Sequence, residues 1–145
     1  MIKVYTSGTF DLFHYGHLNI LLECKKLGHL TVGISTDKLV ERYKGLKPIM
    51  NYNDRYAIVK ELRCVDKVIK QETFFDVKQL KNIDIIVLGD DWLNKPFPEL
   101  DIALETLKIE IRYIPYTKRL STSKIKKYII DNANDIILNL DQRIK

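Results

Sequence analysis

Gly8-Thr9-Phe10-Asp11-Leu12-Phe13-His14-Tyr15-Gly16-His17 separates an apolar run, Val4–Thr6, from a stretch with helical periodicity, Gly16–Leu27. Val4–Thr6 reads as a strand. Leu18, Leu21, Leu22 and Leu27 fall on one face of the predicted helix, and Gly28 closes it. A strand that turns directly into a helix opens a βαβ unit, and Gly8 supplies a turn that a side chain would block. Two histidines flank Gly16 at the start of the helix, three positions apart, so both rings lie on one side of its first turn. The helix terminus adds about half a positive charge and unpaired N–H donors. Together these features describe a site for a polyphosphate.

The pattern continues outward. Leu30–Ile34, Val65–Ile69, Ile83–Leu88 and Ile109–Ile114 read as short, nearly continuous apolar strands. Helical stretches are expected at Asn53–Leu62, Phe97–Thr106 and Ser121–Ile130, with a further amphipathic helix or tail over Asp131–Ile144. Apolar strands alternating with helices predict a doubly wound α/β fold: five parallel strands, Rossmann-like, with helices on both faces. Ligands of such sheets bind beyond the carboxyl ends of the strands, here after strands one, two, four and five.

The chain has 145 residues, 46% hydrophobic and 30% charged, with a net charge of +5. This is one domain's worth of chain, too apolar for disorder. No run approaches the roughly 20 apolar residues of a membrane span, and the first residues read as strand rather than signal peptide. The small positive excess fits a pocket for phosphorylated small molecules as well as a nucleic-acid surface. Cys24 and Cys64, each in a stretch that reads as helix, suggest buried reduced thiols and a cytoplasmic setting.

Four constellations carry chemistry. In the first, His14 and His17 have no serine or cysteine nucleophile near them, which suits stabilisation of phosphate charge rather than covalent catalysis. Two surface histidines, or a metal pair wanting a third ligand, are the alternatives. In the second, Lys44 and Lys47 flank a Gly/Pro loop after strand two, followed by Arg55 and by Arg63, for which an ion pair with Asp66 is the plainer reading. The third, Gly89-Asp90-Asp91-Trp92, puts two carboxylates beyond strand four. The fourth runs from Tyr116 to Ile125; Ser121 is the expected N-cap, and Ser121 and Thr122 present hydroxyls at a second helix start.

The string Gly8–His17 resembles the HxGH signature of the nucleotidyltransferase superfamily, in its cytidylyltransferase form GTFDxxHxGH. Arg63–Val68 is similar to that family's R-x-V-D-x-V motif, and Gly89–Trp92 to the G-D-D-W of glycerol-3-phosphate cytidylyltransferases. Tyr116–Ile125 resembles R-T-x-G-I-S-T-T-x-I, with Tyr116 in place of the arginine and Arg119 in place of the glycine. The resemblance covers residues 2–130 and implies a cytidylyltransferase domain over 1–130, with 131–145 as its C-terminal helix or tail. It implies CTP, carried with Mg²⁺, and a small phosphomonoester, glycerol 3-phosphate before phosphoglutamine, phosphocholine or phosphoethanolamine. It also implies a homodimer, with neither nucleic acid nor membrane as partner. His14, His17 and Lys44 are then the expected catalytic residues. Thr9, Phe10, Asp11, Tyr15, Gly16, Lys47, Arg119, Ser121 and Thr122 fall to the nucleotide. Arg55, Arg63, Lys78, Asp90, Asp91 and Tyr116 fall to the acceptor, and no side chains are assigned to a protein-bound metal.

Overall fold

The computed structural model describes residues 1–144. Five strands, β1 (Lys3–Gly8), β2 (His29–Ser35), β3 (Lys67–Gln71), β4 (Ile85–Gly89) and β5 (Glu110–Ile114), form one parallel sheet in the order β3-β2-β1-β4-β5. The chain winds outward from β1 to β3, then crosses back to β4 on the other side. The order therefore reverses between β1 and β4, and a crevice opens there at the carboxyl ends.

The strands are apolar on both faces because both are covered. Val4, Leu30, Val32, Ile34, Ile85 and Val87 meet Leu21 and Cys24 of α1 (Tyr15–Leu27) and Val59 of α3 (Tyr52–Lys60). The alternate residues Tyr5, Ile86 and Leu88 meet Leu80 of α4 (Val77–Leu80) and Leu100 and Ala103 of α5 (Pro98–Leu107). α6 (Thr122–Asp131) and α7 (Ala133–Ile144) follow β5, and α7 packs against α6. Lys145 lies outside the described residues.

The expected five strands and the doubly wound sheet are present. Two short helices lie outside the helical stretches set out from the sequence: α2 (Asp37–Lys44), where no element was assigned, and α4 (Val77–Leu80). Cys64 is also corrected, since it lies in a turn beyond α3 rather than in a helix. Both cysteines are free and buried.

Candidate active site

A cleft of about 660 Å³ opens at the sheet's carboxyl edge, lined from the loops after all five strands. Its floor is the β1–α1 loop. Phe10 (φ 55°) and Leu12 (φ 47°) hold left-handed backbone there, a cost that the surrounding contacts must offset. Gly8 itself is extended; a Cβ on it would press on the Phe10 ring at 3.2 Å. The glycine thus makes room for a ring rather than for a turn.

His14 is the N-cap of α1. Its Nδ1 accepts the Gly16 N–H at 3.0 Å, and His17 Nδ1 accepts the His14 N–H at 3.2 Å. This is a capping box built from imidazoles, and it fixes their chemistry. A neutral ring that accepts at Nδ1 carries its proton on Nε2. For His14 the assignment is supported independently. The Thr122 hydroxyl donates to Asp11 O at 2.9 Å, so its oxygen is left to accept from His14 Nε2, 3.3 Å away. The rings stack with centroids 3.8 Å apart and 27° between planes. Burial, then the neighbouring His14, lowers the His17 pKa to about 3; burial also lowers that of His14. At neutral pH both rings are uncharged Nε2–H donors. Gly16 allows this packing, because a Cβ there would lie 2.8 Å from His14 Cε1 and 3.1 Å from Leu120 O.

Asp11 and Arg55 set the position of the lysine loop. The Asp11 carboxylate accepts Ile49 N–H at 2.8 Å and Met50 N–H at 2.9 Å. Arg55 is fully buried and donates to Met50 O, Thr9 O, Ser35 O and Asp37 Oδ1 at 2.9, 2.6, 2.9 and 2.6 Å. The loops after β1 and β2 are thereby tied together, with Lys44 and Lys47 on the cleft wall. Thr122 joins the β5–α6 loop to the same knot through Asp11 O. Ser121 caps α6 as expected, accepting the Lys124 N–H.

Of the expected residues, Thr9, Phe10, Asp11, His14, Gly16, His17, Lys44, Lys47, Asp91, Tyr116, Ser121 and Thr122 line the cleft. Six lie outside that lining. Arg55 lies beneath the cleft, its donors spent on carbonyls and Asp37. Arg119 stacks on Tyr15, its Cζ 4.9 Å from the ring centroid, and both stand outside the lining. Asp90 accepts the Tyr116 N–H at 2.9 Å and so shapes the loop. Lys78, on α4, and Arg63, in the turn beyond α3, are exposed away from the cleft. Nor does Arg63 pair with Asp66, which binds Lys25 at 2.6 Å instead.

The sequence reading missed Tyr43, Phe74, Phe75, Lys95 and Lys126, which also line the cleft. Phe74 and Phe75 follow β3, and Trp92 faces Tyr43 in parallel at 6.3 Å. Among the described residues, no three His, Cys, Asp or Glu side chains converge as a metal site.

The cleft thus joins two imidazoles at a helix start with lysines from the segment after β2, at the switch point of a parallel sheet, an arrangement suited to binding an anionic ligand. Residues 5–128 match the family model described as cytidylyltransferase-like. The chain is 41% identical to the glycerol-3-phosphate cytidylyltransferase of Bacillus subtilis (strain 168), covering 89% of this chain and 98% of that one. It is 37% identical to an FAD synthase of Thermococcus sibiricus, covering 88% and 90%. Among solved structures, a lipopolysaccharide core biosynthesis protein from Thermoplasma volcanium GSS1 matches with TM-score 0.64 and 33% identity, covering 81% of this chain and 97% of that one. The chain belongs to the cytidylyltransferase-like family.

Proposed function

We propose that the chain transfers the cytidylyl group of CTP to a small phosphomonoester, first among them glycerol 3-phosphate, releasing pyrophosphate. The observation that carries this reading is the stacked histidine pair, whose backbone-fixed tautomers put two uncharged Nε2–H donors at the cleft, that of His14 resting on the Thr122 hydroxyl until a ligand takes it. The acceptor's phosphate oxygen attacks the α-phosphorus in line. A new P–O bond forms as the bond from the α-phosphorus to the bridging oxygen breaks, and the electron pair leaves with pyrophosphate. The attacking oxygen is already anionic, so no nucleophilic side chain and no obligatory proton transfer are required.

What remains is positioning and charge. His14 and His17 donate to the α-phosphate and the bridging oxygen, where charge accumulates. Lys44 and Lys47 screen the repulsion between the two anions. Ser121, Thr122 and the unpaired N–H groups at the start of α6 take the β,γ end. Mg²⁺ arrives with CTP as part of the substrate. The B. subtilis relative and the Asp91–Trp92 corner support glycerol 3-phosphate. The aromatic side of the cleft, Tyr43, Phe74 and Trp92, supports testing phosphocholine, phosphoethanolamine and phosphoglutamine beside it.

Two further assignments belong to this reading. A homodimer is supported by the apolar side chains that α6 and α7 leave exposed, Ile130 at 73% and Leu138 at 64%. Sedimentation equilibrium should give twice 17.0 kDa. The two free, buried thiols support a reducing, cytoplasmic setting.

The decisive assay is pyrophosphate release with Mg²⁺ and CTP against those four acceptors, with ATP as nucleotide control. Turnover with CTP and glycerol 3-phosphate is expected. Turnover with CTP and a different acceptor would reassign the acceptor, and turnover with ATP alone would overturn the nucleotide.

A further inference from the structure

The two sides of the cleft belong to different layers of the fold. The histidines start α1, which covers one face of the sheet. Phe74, Trp92 and Phe97 pack into the layer that covers the other face. Tyr43 reaches these rings from α2, on its last turn and next to Lys44. Its ring stands edge-on to Phe74 with centroids 5.3 Å apart, tilted to Phe97 at 6.4 Å, and within 10° of parallel to Trp92 at 6.3 Å.

The position of Tyr43 is built, not incidental. Leu39 and Val40, four and three residues earlier, bury the other side of α2. Arg42 Nη2 donates to Glu72 O at 3.1 Å and ties α2 to the loop that carries Phe74. Tyr43 follows β2 and Trp92 follows β4, and β1 lies between those strands in the sheet. Their contact therefore crosses the carboxyl edge and closes the cleft on the side away from α1. Tyr43 itself is 50% exposed, so its ring is a wall rather than part of the core.

In the reaction proposed above, the acceptor's phosphate meets the α-phosphorus beside the histidines, and its organic end extends away from them. A longer polyol would press further hydroxyls against ring carbons, where they lose water without gaining a partner. The Trp92 ring already meets a cation, since Lys95 Nζ lies 5.6 Å from its centroid. The wall is therefore suited to discriminate by length rather than to attract an ammonium head.

We propose that Tyr43 is a specificity-determining residue that limits acceptor length, admitting a three-carbon polyol phosphate and rejecting its four- and five-carbon homologues. The inference rests on the proposed transfer of a cytidylyl group to glycerol 3-phosphate and adds the residue that reads the far end of the acceptor.

The test measures kcat/KM with CTP and Mg²⁺ for glycerol 3-phosphate, erythritol 4-phosphate and ribitol 5-phosphate in wild type, Y43A, Y43L and Y43F. Wild type should favour glycerol 3-phosphate. In Y43A the preference for glycerol 3-phosphate over ribitol 5-phosphate should fall at least about tenfold, through a lower KM for the longer acceptor. Y43L is a second truncation and should shift the ratio in the same direction, whereas Y43F keeps the ring and should keep the ratio. General damage to the fold would scale all acceptors together and leave the ratio in place. A wild-type ratio in folded Y43A or Y43L would overturn the assignment alone, as would a wild type that prefers ribitol 5-phosphate. A wild type that turns over CTP with no member of the series would instead overturn the reading on which it rests.

Discussion

His17 does two jobs with two nitrogens. Nδ1 closes the capping box, and Nε2 faces the cleft. An asparagine places its carbonyl oxygen near the Nδ1 position and has no counterpart of the Nε2–H. His17→Asn should therefore keep α1 capped and lose the donor. Removing one preorganised donor costs about 2.7–4 kcal/mol, or ~10²–10³ in kcat. Steady-state kinetics beside a thermal melt checks this; near-normal turnover in the folded variant would reject the role. The lowered pKa makes a second prediction. The unfolded chain's His17 takes up a proton near pH 6.5, whereas the folded ring does so only near pH 3. Stability should fall as pH drops from 6.5 towards 3, by at most about 1.4 kcal/mol per pH unit from this residue. Urea denaturation at pH 7.5 and pH 5 should show a smaller loss in His17→Asn than in wild type. Equal losses would mean that the ring is already protonated in the folded state.

Arg55 shows what an element's position depends on. It belongs to α3, but its four acceptors come from the β1–α1 loop, the end of β2, the start of α2 and the segment before α3. Arg55→Met keeps most of the volume and leaves three carbonyls and Asp37 without their donor. A loss of about 3 kcal/mol in unfolding free energy is expected from urea titration, softened on the Asp37 side by its partial exposure. Turnover should fall as well, because the Lys44–Lys47 segment loses its anchor. Gly16→Ala should behave in the opposite proportion. Its Cβ would displace the His14 ring, so kcat should fall by more than stability does. Equal effects would deny His14 its role. These cases also mark what the sequence could express. The strands were legible because double burial writes uninterrupted apolar runs, as in Ile85–Gly89. The histidine pair and the α6 cap were legible because both are local motifs. α2 was hidden, since only Leu39 and Val40 of its eight residues are buried. Arg55 read as a substrate contact because its acceptors are dispersed along the chain, and burial of a guanidinium leaves no periodic trace. Phe74 and Phe75 read as ordinary apolar residues, although the fold sets them beside the cleft.

At the scale of the molecule, part of the positive excess has a location. Lys44, Lys47, Lys95 and Lys126 line one cleft, against Asp11, which is occupied by backbone donors, and Asp91. A concave surface lined by one sign of charge focuses its field on an entering anion, and salt screens that field beyond about 8–10 Å. Contacts closed on the anion after docking fall well within that screening length, so salt weakens them much less. Raising KCl from 20 to 300 mM, roughly a fourfold reduction of the Debye length, should therefore raise the KM for CTP several-fold and change kcat little. A duplex-binding protein of the same net charge would behave otherwise, losing affinity for DNA as a steep power of salt concentration. Measuring both dependences on one preparation separates the two. A salt-sensitive KM with only weak DNA binding places the positive charge at the cleft, whereas a flat KM with steep, salt-dependent DNA binding would move its role to the outer surface.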